Sequence, residues 1–375
     1  MGIVKIWNSL ENRIKTHYYQ KQDFSLNRHI VVIESDDWGA VRMPSKDVYN
    51  NLKGKLNFSA CHYCANDSIL EKDDLELLCE VLGTVKDING NYAKITTNFV
   101  TSNPDFERIK KDGFQNYYNE SILLTYEKYE NIAFSNIQKA INDNYIYPQL
   151  HGREHLNVKR WMALLQSGNS DFRLAFESGM YGLSTTVTNT EHDSVMAAFD
   201  SHLINQNILS DAVGQFEAIF GFKSKSFIAP NYCWNRDVED VLSLNGVEYI
   251  QGARAQVCKS SKENNIFHYI GQVNHRNQIY LVRNVVFEPS SDLHKDWLNE
   301  CKRQIEICLK NGNPIIISSH RVNFVGRINK KNRDNSLRQL LELLKWVSLK
   351  WPDVEFMSSD ELGELNLVVD IKEDK

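Results

Sequence analysis

The stretch that decides the fold is HIVVIESDDWG at residues 29–39, in which an apolar run ends in acidic side chains. The run His29–Glu34 is rich in β-branched residues, which is typical of a buried parallel strand. In parallel α/β folds, functional groups follow the carboxyl ends of the strands. This stretch therefore predicts a buried first strand and a functional site that begins at Asp36 and Asp37.

Strand and helix patterns alternate about seven times after that stretch, which indicates a parallel α/β architecture. We predict further strands at 93–100, 145–150, 225–229, 247–251, 279–287, 314–319 and 354–357, and helices at 70–82, 132–141, 156–167, 203–220, 237–244, 297–309 and 336–349. No glycine-rich phosphate loop follows the first strand, which favours a barrel over a doubly wound sheet. The predicted fold is α/β, a distorted (β/α)7-type barrel with elaborated loops.

The first 24 residues are predicted to form a helical extension of a barrel that spans residues 25–375. Residues 1–22 predict an amphipathic helix, because apolar residues recur on one face at helical spacing. Packing of this helix on the outside of the barrel is one interpretation, and contact of its basic face with a membrane surface is the alternative. Residues 171–202 predict an insertion or a long loop region, because their apolar pattern is weak.

The composition is that of an ordinary globular protein: 375 residues, 42% apolar and 24% charged, with a net charge of −5. It excludes disordered and fibrous classes, and the charge does not predict a nucleic-acid partner. Without a spanning apolar run or a secretory signal, we expect a cytoplasmic protein, peripheral to the inner membrane face if the first helix binds lipid. The seven cysteines, Cys61 and Cys64 among them, are expected to be unpaired thiols.

Two histidines follow the predicted strand at 145–150, and their spacing is that of a metal site. His151 and His155 are four residues apart, which at a helix start puts both imidazoles on one face. Two histidines and one carboxylate make a catalytic-metal pattern. Taken alone, Asp36 and Asp37 also suit a helix cap and turn. The combined pattern predicts a divalent metal bound at the carboxyl ends of the strands.

Together these residues resemble the polysaccharide deacetylases of carbohydrate esterase family four, over residues 28–365. That family opens with Thr-Phe/Tyr-Asp-Asp, to which Glu34–Asp37 is similar. The resemblance implies that Asp36 is the catalytic base and Asp37 a metal ligand. The family's His-Ser/Thr-x-x-His motif is similar to residues 151–155 and implies that both histidines bind the metal, with Gly152 where the family has a hydroxyl residue. The family's final apolar-x-His motif implies that His320 is the general acid.

Two further family motifs are matched more loosely. The family's Arg-x-Pro-Tyr motif is similar to residues 227–232, which keep the proline and an aromatic residue but lack the arginine that positions the base in the family. Arg321 and Arg42 are the candidates to replace it. The family's Asp…Asp-Trp element is similar to residues 292–297. It implies orienting roles for Asp292, Asp296 and Trp297.

Aromatic and arginine side chains lie at the mouth of the predicted site. Aromatic rings stack on sugars and arginines bind carboxylates or phosphates, so these residues are candidates to bind the substrate. The candidate substrate-binding residues are Trp38, Arg42, Arg153, Asn231, Tyr232, Trp234 and Arg321. The arginines indicate an anionic glycan, a nucleotide sugar or a lipid-linked sugar phosphate; the alternative is that they hold loops together.

The resemblance implies a metal-dependent hydrolase that removes an acetyl group from an N-acetylated sugar. Zinc is the default ion, with manganese, cobalt, nickel and iron as alternatives. The expected substrate is an intracellular glycan, glycolipid or nucleotide-sugar precursor. Two other hypotheses stay open: a metal hydrolase of another amide or C–N bond, suggested by the missing arginine, and an inactive glycan-binding or scaffold protein.

Overall fold

The computed structural model describes residues 15–56, 58, 61–129, 132–183, 195–199, 206–256 and 265–365. Most of the predicted N-terminal helix, residues 1–14, lies outside these ranges, and residues 15–20 are helical. The segment that follows is fixed to the barrel, because both guanidinium nitrogens Nη1 and Nη2 of Arg254 donate to Asp23, at 2.9 and 2.6 Å. The boundary predicted at residue 24 stays a prediction.

The strands of the described chain are β1 (Ile30–Trp38), β2 (Ile95–Phe99), β3 (Ser102–Pro104), β4 (Asn119–Ser121), β5 (Ile146–Leu150), β6 (Ser226–Ile228), β7 (Tyr249–Gly252), β8 (Ala255–Gln256), β9 (Ile266–Phe267), β10 (Ile279–Val282), β11 (Val285–Val286), β12 (Ile315–His320) and β13 (Glu355–Met357). The main sheet is parallel and has the order β10-β7-β6-β5-β2-β1-β12-β11, with β13 paired to the start of β1. β3 with β4, and β8 with β9, form two small antiparallel pairs.

The main sheet closes on itself through two consecutive residues. Arg283 and Asn284 join β10 at one end of the strand order to β11 at the other. The Arg283 N–H donates to the Gly252 carbonyl of β7, and the Asn284 N–H donates to the Ile316 carbonyl of β12. Within the described residues, β10 and β11 thus act as one interrupted strand in a ring of parallel strands. The predicted α/β class is confirmed.

The helices of the described chain beyond residue 20 are α1 (Lys46–Leu52), α2 (His62–Asn66), α3 (Lys72–Leu82), α4 (Phe106–Lys111), α5 (Ile122–Tyr129), α6 (Phe134–Asn142), α7 (Val158–Gln166), α8 (Ser170–Glu177), α9 (Gln206–Phe220), α10 (Arg236–Leu244), α11 (Trp297–Lys310), α12 (Lys330–Lys350) and α13 (Ser359–Gly363). Apolar side chains of these helices pack against the apolar strand residues in one core cluster. No helix in the ranges described has the length and apolar character needed to cross a bilayer.

Two local predictions are wrong. Residues 170–177 form α8 rather than part of a loop, because Asn169 caps the helix and Phe172 and Phe176 are buried by it. Cys61 and Cys64 form a disulfide at the start of α2, where unpaired thiols were expected. Their Cα atoms are 5.3 Å apart, a separation that a disulfide spans. His62 and Tyr63 therefore lie inside a closed four-residue loop.

Candidate metal and catalytic site

A bulge at the end of β1 brings two adjacent aspartates to one site. Neighbouring side chains of a regular strand point to opposite faces of the sheet. The pairing of β1 with β2 shifts register between Ser35 and Trp38, and Asp37 has a left-handed backbone with φ of 71°. Both carboxylates consequently face histidines: Asp36 Oδ2 lies 3.6 Å from His320 Nε2, and Asp37 Oδ1 lies 3.3 Å from His155 Nε2.

Asp37, His151 and His155 form a buried cluster with the donor set of a metal site. One potential ligand atom from each residue lies within 4.8 Å of those of the other two. Asp37 Oδ2 and His151 Nε2 are buried and have no hydrogen-bond partner among the described residues. Orphaned lone pairs of this kind are what a bound cation would satisfy. The three residues could therefore hold a metal ion.

The two histidines are prepared as neutral ligands. His151 Nδ1 lies 2.9 Å from the Ile228 carbonyl, to which it can only donate, so His151 Nε2 is left with its lone pair. Burial and the charge of Arg42 hold the pKa of His155 well below its ordinary value. A neutral imidazole binds metal, whereas an imidazolium does not.

Gly152 shapes the turn that carries these histidines. Its φ is 103°, a left-handed conformation that favours glycine, and a Cβ there would approach the Phe199 ring at 3.4 Å. The backbone between the two histidines thus has a physical reason to lack the hydroxyl residue of the family motif.

Arg283 makes the contact with Asp36 that was expected of the missing motif arginine. Its Nη1 and Nη2 donate to the two oxygens of Asp36 at 2.7 and 2.6 Å, and its Nε donates to Glu34 at 2.6 Å. Burial favours the neutral acid, yet Arg283 lowers the pKa of Asp36 to about 2. Asn98 donates to Asp36 Oδ1 at 2.8 Å. The expectation that Arg42 or Arg321 fills this role is wrong.

His320 is oriented by Glu288, which the sequence did not single out. His320 Nδ1 lies 2.5 Å from Glu288 Oε1, and Asn323 donates to the other glutamate oxygen at 2.9 Å. Burial would lower the pKa of His320, but the charge and hydrogen bond of Glu288 raise it to about 10. A signal was present, because Arg283 interrupts the apolar run 279–287 and Glu288 ends it. A charge inside a buried strand needs a partner.

The predicted orienting residues lie elsewhere. Asp292 and Asp296 are exposed, and Asp296 caps α11 by accepting the Asn299 N–H at 3.1 Å. Trp297 is buried and donates to the Asp292 carbonyl at 3.0 Å. All three organise the start of a helix, so the prediction that they orient the catalytic residues is wrong.

Both predicted substrate tryptophans are core residues. Trp38 is fully buried, and its Nε1 donates to Ser35 Oγ at 2.9 Å. Trp234 is also buried, and its Nε1 donates to Glu239 at 2.9 Å. Rings enclosed on all sides cannot stack on a sugar, so these two predictions are wrong.

Two of the three predicted substrate arginines are engaged by carboxylates. Arg321 is fully buried, and its Nε donates to Asp67 at 3.1 Å. Arg153 donates from Nε to Glu154 at 2.6 Å and from Nη1 to Asp211 at 3.1 Å. These contacts match the loop-holding alternative rather than a role in binding substrate.

Three candidates remain beside the site. Arg42 donates from Nη2 to Asp37 Oδ1 at 2.8 Å and is 11% exposed. The Tyr232 hydroxyl accepts from Arg283 Nη1 at 3.1 Å, and the ring is half-buried. Asn231 is exposed and, like Tyr232, has a positive φ.

No protein-family model and no curated protein sequence matches the chain. Among solved structures, a probable polysaccharide deacetylase from Pseudomonas aeruginosa PAO1 is 7% identical, with 90% of each chain covered and a TM-score of 0.46. Puue allantoinase is 7% identical, with 90% of this chain and 89% of that one covered and the same TM-score of 0.46. A 4-alpha-glucanotransferase from Thermococcus litoralis is 12% identical at a TM-score of 0.42, and the match spans only 38% of its length. Likenesses at this level carry no argument about activity.

Proposed function

We propose that this chain is a metal-dependent hydrolase that removes the acetyl group from an N-acetylated sugar. The observation that carries the proposal is the division of two adjacent carboxylates between two tasks. Asp36 is clamped by Arg283 and faces His320, whereas Asp37 lies with two histidines that have the lone pairs of metal ligands. A structural helix cap would need neither arrangement.

The metal in this proposal is held by Asp37, His151 and His155. Two histidines and one carboxylate suit zinc first, and manganese, cobalt, nickel or iron could also bind. A divalent ion bound there would supply a Lewis acid that polarises the acetyl carbonyl and acidifies water.

Asp36 and His320 have the opposed charges that an acid–base pair needs. Arg283 keeps Asp36 ionised, so this carboxylate can accept the proton of the attacking water. Glu288 keeps His320 protonated, so its imidazolium can donate a proton to the departing amine. The pKa values, about 2 for Asp36 and about 10 for His320, differ in the direction that this assignment requires.

The main observation behind the two competing hypotheses no longer supports them. Both an altered reaction and an inactive scaffold were suggested by the missing motif arginine. Arg283 contacts both oxygens of Asp36 and restores the expected clamp from a different strand connection. The complete set of base, acid and metal ligands favours an active hydrolase over a scaffold.

Metal content and acetate release test the proposal together. We expect near-stoichiometric metal, by mass spectrometry, in the wild type and none in a His151→Ala/His155→Ala variant. His275→Ala, on the surface, is the matched control and should keep the metal. Metal-loaded wild type should release acetate from N-acetylated sugars, and Asp36→Asn should keep the metal but release none.

The substrate panel separates the alternatives. It should include N-acetyl amino acids and cyclic amides beside the sugars. Turnover of those compounds alone would indicate a hydrolase of another amide. A wild type that takes up neither zinc nor manganese on dialysis would contradict the proposal as a whole.

A further inference from the structure

Arg42 and Arg321 both lack a full set of hydrogen-bonding oxygen partners among the described residues, and Arg42 is the one of the two that is partly exposed. The Nη2 of Arg42 donates to Asp37 Oδ1 at 2.8 Å, whereas the acceptor of its Nη1 within the described residues is the Met196 sulfur at 3.7 Å. Its buried Nε has no hydrogen-bond partner within the described part of the chain. A thioether is a weak acceptor, so the Nη1 and Nε of Arg42 have no strong hydrogen-bond acceptor among the described residues.

The nearby carboxylate of Asp67 is already taken. Arg321 donates to Asp67 Oδ1 from Nε at 3.1 Å, and its Nη2 lies 3.0 Å from the same oxygen. Arg42 Nε lies 3.7 Å from the other oxygen, Asp67 Oδ2, which has no hydrogen bond from any described residue. Asp67 therefore forms its ion pair chiefly with Arg321.

The local count of charges changes when a metal binds. Two arginines, Arg42 and Arg321, face two aspartates, Asp37 and Asp67, and the four charges cancel. A divalent ion bound at the unpartnered Asp37 Oδ2 would offset most of the charge of Asp37, although Oδ1 could still accept from Arg42. Arg42 and Arg321 would then share chiefly the charge of Asp67, in a buried setting where an incompletely balanced charge is costly.

We propose that Arg42 binds an anionic group of the substrate. The N-acetylated sugar would therefore bear a carboxylate or phosphate near its acetamido group. This inference rests on the proposed function. Arg42 is the reachable member of the cluster, 11% exposed where Arg321 is fully buried. The half-buried Tyr63 ring lies 5.3 Å from the Arg42 guanidinium carbon and 5.5 Å from the His320 ring. Arg42, the proposed anion-binding residue, and His320, the proposed general acid, thus both lie beside the Tyr63 ring.

A planar guanidinium suits such an anion for a geometric reason. Carboxylate and phosphate oxygens accept two parallel N–H bonds from an arginine fork, and such pairs are stronger than neutral hydrogen bonds. The buried Tyr181 hydroxyl, near Arg42, also lacks a described partner and offers a further donor. A neutral sugar would leave these donors unsatisfied.

The test compares matched sugars by binding as well as by turnover. Kd would be measured by calorimetry on metal-loaded Asp36→Asn protein, which cannot consume the ligand, for N-acetylglucosamine, N-acetylglucosaminuronic acid and N-acetylglucosamine 1-phosphate. We expect at least one acidic sugar to bind about tenfold or more tightly than the neutral one. The carboxylate and phosphate arms identify which anion is used.

Arg42→Met should abolish that preference, so that the ratio of the Kd of the neutral sugar to the Kd of the acidic sugar falls to about one. Arg28→Met removes the same charge before β1, at the opposite end of the barrel, and should change nothing. If Arg42→Met does not fold, Arg42→Lys should keep a weakened preference. A wild type with equal kcat/KM for acidic and neutral sugars would overturn the inference without any variant.

Equal affinity for acidic and neutral sugars would overturn the inference. An Arg42→Met variant whose affinities for acidic and neutral sugars fall by the same factor would also overturn it. The preference would then persist without Arg42, whose role would be only to orient Asp37. Either result leaves acetate release by the wild type intact. Absence of metal uptake and of acetate release from every sugar would instead mark failure of the proposed function itself.

Discussion

Arg283 binds both oxygens of Asp36, with Nη1 2.7 Å from Oδ2 and Nη2 2.6 Å from Oδ1. We predict that Arg283→Lys lowers kcat/KM by about 10²-fold, because one ammonium cannot hold both carboxylate oxygens and Glu34 as well. Metal content should not change, since Arg283 contacts none of the metal ligands. Arg303→Lys on the exposed face of α11 is the control. A variant with full activity would show that the clamp does not position the base.

The alkaline limb of the pH–rate profile should depend on the contact between Glu288 and His320. A general acid acts while protonated, and Glu288 raises the pKa of His320 to about 10. Glu288→Gln removes that charge, so the pKa falls and the decline in kcat/KM should begin at lower pH. Glu300→Gln, half-buried in the first turn of α11, is the control and should leave the profile in place. An unshifted limb would mean that another group is the acid.

The same pair predicts a pH dependence of stability. The folded-state pKa of His320, about 10, lies above its ordinary value of 6.5. The folded state therefore binds this proton more tightly than the unfolded state. Its contribution should be complete below pH 6.5 and should be lost as pH rises through 10. Urea unfolding at pH 6 and pH 10 should show a smaller decline for Glu288→Gln than for the wild type.

Metal should stabilise the fold. A ligand that binds only the native state adds about 2.7 kcal/mol when its free concentration is a hundred times Kd. Zinc added to chelator-treated wild type should therefore raise the midpoint of thermal unfolding. The His151→Ala/His155→Ala variant should not respond. A rise of the same size in that variant would place the ion elsewhere.

Introducing at position 152 the hydroxyl residue of the family motif should destabilise this protein. Gly152→Ser forces a side chain into a backbone with φ of 103°, beside the Phe199 ring. We expect a loss of about 1–2 kcal/mol in the free energy of unfolding, with weaker metal binding, because the turn positions both histidines. Gly214→Ser, in α9, is the control: a Cβ there meets no atom within 4 Å. A variant as stable as the wild type would show that the turn can relax.

The sequence predicts the site residues that directly follow strands better than the residues that contact and position those side chains. Asp36, Asp37, His151, His155 and His320 end apolar runs, so periodicity alone brings them to one end of a barrel, and the structure brings them together. Arg283 is not found in this way, because it lies inside an apolar run and its partner Asp36 is 247 positions away. Glu288 ends the same run, but nothing local in the sequence marks its contact with His320 on β12.

The predicted substrate residues fail for a related reason. Local sequence does not tell whether a ring beyond a strand turns outward or into the core, and Trp38 and Trp234 turn inward. The short helices α1, α4 and α5 carry too few turns to establish an apolar periodicity.

The contact between Arg283 and Asp36 also has a consequence for the order of folding. The two residues are 247 positions apart, so the first strand acquires its clamp only after most of the chain has been made. Long-range contacts of this kind form late, since a large loop must close before they gain anything. A growing or truncated chain that ends before β10 has Asp36 without its clamp. Under the proposed function, acetate release would mark completion of the whole barrel, and no partly folded intermediate would turn over substrate.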